Sequence, residues 1–195
     1  MELLEKNKLY LQVDKCEFEK TTIEYLGVII LHNSVAMDPV KIAGIRDWPA
    51  PMNKKEVQSF LGFTNFYQRF IQGFSKHTRL LFDLIQNDVK WSWSTAEQTA
   101  FNRLKESVTS VPVLILLDST KLFQIKADSS DFTTGAILLQ VLADNGKWHP
   151  VTFMSKSLSP VECNYKIHDK EMPPIIQALQ EWRHFVKGAE HQFKI

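Results

Sequence analysis

Lys121-Leu122-Phe123-Gln124-Ile125-Lys126-Ala127-Asp128-Ser129-Ser130 decides the fold class, because Phe123, Ile125 and Ala127 alternate with Gln124, Lys126 and Asp128. Strand side chains point to opposite faces in turn, so a period of two predicts a half-buried strand. Two more apolar runs, Gly135 to Leu142 and Trp148 to Met154, flank Asp144-Asn145-Gly146-Lys147. Asn-Gly accepts the positive φ angles of a tight hairpin turn and is the strongest short hairpin signal. A three-stranded antiparallel meander follows. Beyond it, Ser159-Pro160-Val161-Glu162 opens a short turn, and Ile175 to Val186 reads as a helix with Ile175, Ile176, Leu179 and Trp182 on one side. His191 to Ile195 reads as the start of a fourth strand.

Upstream the period lengthens. Ser94 and Glu97 have capping-box spacing, and Phe101, Leu104 and Val108 recur at helical intervals to about Thr109. Asn53 and Glu56 repeat that spacing before Val57, Phe60, Leu61, Thr64, Phe66 and Tyr67, predicting a helix to about Ile71 that Gly73 closes. A second helix is expected from about His77 to Gln86, burying Leu80, Leu81, Leu84 and Ile85. Asp38-Pro39 is an N-cap followed by proline at the first helical position, with Val40, Ile42, Ile45 and Trp48 on one face. Before it, the run from Ile23 to Leu31 turns at His32-Asn33-Ser34 and returns through Val35 and Met37 as a hairpin. Leu9, Leu11 and Val13 alternate like a strand after a helix tail at Leu3 and Leu4. The fold class is α+β.

Composition narrows the function. At about 150 residues per domain, 195 residues make one to two domains. Lys and Arg number 23 against 22 Asp and Glu, a net charge of +1, so any nucleic-acid binding must be local. The longest apolar stretch, Val111 to Leu117, contains Pro112 and is far shorter than the roughly 20 residues of a membrane span. Cys16 and Cys163 have no metal-ligand spacing, and the N-terminus carries charges from its first turn. An intracellular protein, cytoplasmic or nuclear, without structural zinc or membrane partner is expected.

The order and spacing of Lys15-Cys16-Glu17-Phe18, Tyr25-Leu26-Gly27, Met37-Asp38-Pro39, the run from Val57 to Phe70, and Ala127-Asp128-Ser129-Ser130 closely resemble the Pol polyprotein of gypsy-type LTR retrotransposons. The resemblance covers essentially the whole chain. It implies that residues 1–36 end a reverse transcriptase palm, 37–90 form a helical thumb, and 91–195 a linking helix and an incomplete RNase H-like domain. In that family the metal-binding Tyr-x-Asp-Asp strand of the palm lies before the first of these residues.

The residues themselves give a local case for nucleic acid. Between residues 53 and 90, Lys54, Lys55, Arg69, Lys76, Arg79 and Lys90 outnumber Glu56, Asp83 and Asp88 by three, which suits phosphate contacts. Gln58, Gly62 and Phe66 are four apart and share a helical face. Spacing alone leaves open that Gly62 serves helix packing and Phe66 the core. The resemblance implies that this triplet tracks the minor groove of a primer–template duplex, and that Tyr25-Leu26-Gly27 is a primer-grip-like hairpin.

For nuclease chemistry the resemblance implies two Mg²⁺ ions about 4 Å apart, held by converging carboxylates. Asp128 matches the first catalytic Asp and Glu171 the catalytic Glu of the next helix; as isolated residues they read equally as a turn cap and a solvated side chain. The family places two further Asp residues beyond this stretch, so weak Mg²⁺ binding and no significant hydrolysis by these residues alone are expected. Pro173-Pro174 stand where relatives carry helix formers. Each interior proline removes a donor at about 3 kcal/mol, so the helix is expected to restart at Pro173 and leave Glu171 before its first turn. The resulting expectation is a piece of a larger Pol polyprotein that binds primer–template or RNA–DNA hybrid at most. The alternative is a decayed open reading frame without activity.

Overall fold

The computed structural model describes residues 2–12, 14, 16–142, 146–165, 167–187 and 194. After helix α1 (Glu2–Lys6), residues 9–12 are irregular and exposed rather than a strand, since no neighbouring segment pairs with them among the described residues. Lys15 and Val13 lie outside the described residues.

Leu26 and Gly27 both take positive φ, 49° and 79°, and so close a two-residue hairpin turn between β1 (Ile23–Tyr25) and β2 (Val28–Leu31). A second turn at His32-Asn33 leads to β3 (Ser34–Met37), so the expected hairpin is a meander of three strands. Asp38 accepts the Val40 N–H at 2.8 Å and starts α2 (Pro39–Arg46); Ile45 is buried there, whereas Val40 is exposed.

Asn53 accepts the Glu56 N–H at 3.0 Å and opens α3 (Lys54–Phe66), while Glu56 reaches past the cap to the Met52 N–H at 2.7 Å. The helix ends five residues earlier than its period suggests, in a 3₁₀ turn (Gln68–Phe70) that still buries Tyr67 and Phe70. Gly73, at φ 65°, stands before α4 (Phe74–Leu84) as its N-cap instead of closing α3. Packing decides the α4 register: Phe74, Thr78, Leu81 and Leu84 turn inward and Leu80 is exposed. Ser94 and Glu97 form the expected capping box of α5 (Thr95–Thr109). That helix contributes Phe101, Leu104 and Val108 to the same core as α2, α3 and α4. The two-residue strand β4 (Leu114–Ile115) then pairs with β3, completing a sheet of order β1-β2-β3-β4.

The second sheet has order β5-β6-β7, with β5 (Phe123–Ser129), β6 (Thr133–Val141) and β7 (Trp148–Ser157) all antiparallel. Asp144 and Asn145 of the expected turn lie outside the described residues. Lys194 pairs with Gln124 in parallel, at the position expected for a fourth strand whose other residues are not described. Short helix α6 (Pro160–Cys163) precedes α7 (Ile167–Glu181) and α8 (Arg183–Lys187).

Helix α7 does not restart at Pro173: it runs through both prolines, and Glu171 lies within it. The prolines withhold donors only from the carbonyls four residues back, and packing offsets that cost. Pro174 is buried, Ala178 and Trp182 are buried against β5 and β6, and the Thr134 hydroxyl donates to Gln177 Oε1 at 2.9 Å. Ile176 of the predicted stripe is exposed instead. The two cores meet through Phe153 of β7, which packs with the helices, and through the Ser75 N–H, which donates to Ser155 Oγ at 3.1 Å.

Candidate nucleic-acid interface and nuclease carboxylates

Helix α3 has two unlike faces. Val57, Phe60, Leu61 and Thr64 are buried, while Lys55, Gln58, Gly62 and Phe66 are exposed. A Cβ built on Gly62 meets nothing within 4 Å, so this glycine serves no helix packing among the described residues. Phe66 is 55% exposed, which removes it from the core. The strip Gln58, Gly62, Phe66 is therefore open to a ligand along about two turns of helix.

A run of rings fixes the end of that strip. Phe101 lies 4.5 Å from Phe60, Phe60 5.6 Å from Trp48, Trp48 5.5 Å from Phe63, and Phe63 5.8 Å from Tyr67. Tyr67 then meets Phe66 edge-on at 4.9 Å and 87°, a contact of about 0.5–1.5 kcal/mol that steadies an exposed ring. The Tyr67 hydroxyl donates to the Gly27 carbonyl at 3.1 Å and so docks the β1–β2 turn beside α3. Burial first, and the Asp38 carboxylate second, push the Tyr67 phenol up, which keeps the donor protonated. Gly27 thus stands next to the Phe66 ring, and Tyr25 and Leu26 of the same turn are 60% and 71% exposed. Sequence reasoning overlooked Tyr67 as the joint; its signal is an aromatic with a hydroxyl directly after the exposed Phe66, on the buried side of the helix end.

The cation surplus is partly used inside the molecule. Lys54 Nζ donates to the Gln86 carbonyl at 2.5 Å. Arg79 stacks on Phe132 at 3.9 Å and approaches Asp83 at 3.9 Å. Arg69 lies in the 3₁₀ turn rather than on the α3 strip, its guanidinium 5.0 Å from the Phe70 ring centre and held below its ordinary pKa by burial. Lys55 remains free on the exposed side of α3.

Asp128 is exposed one residue before the end of β5, and its Oδ1 accepts the Ser129 N–H at 2.8 Å. Glu171 is exposed on α7, which packs against β5 and β6. Lys170, one residue earlier, reaches Asp131 Oδ1 at 3.7 Å, and Gln177 reaches Thr134, so this part of α7 lies at the β5–β6 turn end of the sheet, where Asp128 also lies. Among the described residues no three His, Cys, Asp or Glu side chains come together as metal ligands. Two exposed carboxylates do not fit a two-metal centre, and no hydrolytic step is assigned to them alone. Trp182 is buried, whereas Trp148 is 42% exposed at the start of β7.

A family model described as an RNase H-like domain found in reverse transcriptase matches residues 93–195. The transposon Tf2-3 and Tf2-4 polyproteins of Schizosaccharomyces pombe are each 33% identical over 195 residues, which is 100% of this chain and 15% of theirs. The chain thus spans about 15% of the length of these relatives. A foamy viral protease-reverse transcriptase in complex with RNA/DNA hybrid superimposes with a TM-score of 0.77 at 18% identity, over 92% of this chain and 24% of that one. The foamy viral protease-reverse transcriptase dRH in complex with ds DNA gives 0.75 at 18% identity, over 89% and 30%. At that identity the likeness shows the fold. No helix among the described residues is long and apolar enough to cross a membrane.

Proposed function

This chain belongs to the family of RNase H-like domains found in reverse transcriptase, and on that premise we propose that it is the part of a retrotransposon Pol polyprotein that holds primer–template or RNA–DNA hybrid duplex. In this reading residues 1–36 end the palm, 37–90 are the thumb, and 91–195 are the linking helix and RNase H-like domain. Gln58, Gly62 and Phe66 follow the minor groove: the bare backbone at Gly62 admits a sugar, Gln58 bonds base edges or sugars, and the Phe66 ring lies on sugar and base surfaces. Tyr25, Leu26 and Gly27 meet the primer end. Lys55, with Lys54 and Arg69 at the edges, neutralises phosphate.

The observation that carries this reading is the open strip of α3 continuous with the hairpin turn through Tyr67. Asp128 and Glu171 supply part of a carboxylate set for Mg²⁺, and these 195 residues bind hybrid without cutting it. The test is fluorescence anisotropy with a labelled RNA–DNA hybrid. Gln58→Ala combined with Phe66→Ala is expected to weaken binding tenfold or more at unchanged circular dichroism, since stacking on an aromatic contributes about 1–3 kcal/mol per base. Affinity is also expected to fall steeply with salt. Unchanged affinity of the double variant overturns the reading.

A second reading, a decayed reading frame without activity, is favoured by Pro173-Pro174, which withhold two backbone donors inside the helix that carries Glu171. The same titration decides: no hybrid binding by the parent chain selects it.

A further inference from the structure

Helices α4 and α5 pack against each other, and residues 85–94 connect them. A cavity of about 250 Å³ fixes their alignment: Gln72, just before α4, lines it together with Ser107 and Ser110 at the end of α5. The start of one helix thus lies beside the end of the other. About one turn further from that end stand Lys76 and His77 on α4 and Arg103 on α5.

The packing collects three basic side chains from two elements. Lys76 and Arg103 are exposed, and His77 is half-buried between them and the core. Burial first, then Lys76 and Arg103, push the His77 imidazole below its ordinary pKa, and no carboxylate among the described residues counters them. The acids nearest in sequence are turned elsewhere. Asp83 approaches Arg79 at 3.9 Å, and Glu106 lines a different cavity with Arg46 and Lys105. Among the described residues Lys76, His77 and Arg103 form no ion pair, and the Gln72 side chain makes no hydrogen bond. Like charges gathered in this way repel, and an anion with several acceptor oxygens replaces that repulsion with charge-assisted hydrogen bonds.

We propose that Lys76, His77 and Arg103, with the Gln72 amide beside them, bind a phosphate group. Arginine offers a planar fork to two oxygens, lysine a point charge, and histidine a second N–H donor once it is protonated. Phosphate reaches such a surface as the backbone of a nucleic acid or as a free polyphosphate. The cluster uses none of the residues through which α3 and the β1–β2 turn are read as holding a duplex, and it stands independently of that reading.

The probe is inorganic tripolyphosphate, added to the full 195-residue chain while the His77 ring is followed by NMR against pH. The His77 midpoint is expected to rise on binding, because a neighbouring anion favours the imidazolium, while that of His32 in the β2–β3 turn stays in place. Lys76→Gln combined with Arg103→Gln, both at exposed positions, is expected to raise the His77 midpoint before any ligand is added. The same variant is expected to bind tripolyphosphate tenfold or more weakly at an unchanged urea midpoint. A His77 midpoint indifferent to tripolyphosphate, or one that responds equally in the parent and the double variant, overturns the proposal. RNA–DNA hybrid then distinguishes the sources: hybrid that displaces tripolyphosphate from His77 identifies backbone phosphate, and hybrid that leaves it bound identifies free polyphosphate. Gln58→Ala with Phe66→Ala, which tests the α3 strip, is expected to leave the tripolyphosphate response intact.

Discussion

The α3 strip and the carboxylates of the β5–α7 end lie on surfaces of one chain but are assembled in opposite ways. The strip needs a single element: helical repetition alone puts Gln58, Gly62 and Phe66 in line, and the buried face of the same helix anchors them. The carboxylates need convergence of separate elements, and Asp128 and Glu171 arrive from a strand and a helix as two exposed groups without a third ligand among the described residues. An open helical strip is a local feature, whereas a metal centre depends on every element that contributes to it.

The comparison can be broken most forcefully at the core behind α3. Phe60 is fully buried between Trp48 and Phe101. Phe60→Ala is expected to cost about 3–5 kcal/mol in urea unfolding. Amide exchange should then rise in α3 and α5 more than at Ile125 and Leu138 of the second core. Equal loosening of both would mean that the bridge at Phe153 makes the cores one cooperative unit.

Next in size is the joint. At Gly27, φ is 79° and a Cβ would come to 2.9 Å from the Tyr67 hydroxyl oxygen. Gly27→Ala is expected to cost about 1–2 kcal/mol and to weaken hybrid binding through the displaced turn. Tyr67→Phe removes only the hydrogen bond to Gly27 and is expected to cost about 0.5–1.5 kcal/mol. A hybrid affinity indifferent to both variants would separate the hairpin from the α3 strip.

Phe66→Ala sharpens the comparison from the other side. As an exposed residue it is expected to change stability within about 0.5 kcal/mol, yet to reduce hybrid affinity by about tenfold. Asp128→Asn is expected to change neither stability nor hybrid affinity appreciably.

The smallest effect belongs to the sheet half. Hydrogen bonds from Thr120, and then Lys121, hold Asp118 at about 2, below its ordinary 3.8. A carboxyl depressed in the folded state stabilises above its unfolded pKa, and that contribution fades as pH falls through the window from 3.8 to about 2. Asp118→Asn is expected to flatten the acid limb of the stability curve in that window, measured by urea midpoint against pH.

Legibility followed the range of the interactions. The caps at Asp38, Asn53 and Ser94 were readable because a side chain and the backbone two or three residues away make the whole interaction. The β5–β7 meander was readable from its period. Leu80, Val40 and Ile176 were placed inward by period yet stand exposed, because the neighbouring element chooses which part of a wide apolar face it covers. Residues 9–12 alternate like a strand but lack a described partner, and a ladder needs two strands. The proline pair in α7 reads as a break, yet the burial of Pro174 and Trp182 and the Gln177 contact keep the helix continuous.

The sequence by itself determined the α+β class, the order of helices and strands, and the line of Gln58, Gly62 and Phe66, because each of these is written in periods and caps within a few residues. Only the tertiary structure decided that Tyr67 joins the hairpin to that line and that the Ser75 N–H reaches Ser155 Oγ where the two cores meet. Those facts depend on segments 40 to 80 residues apart meeting in space, and no local pattern records which of them will touch.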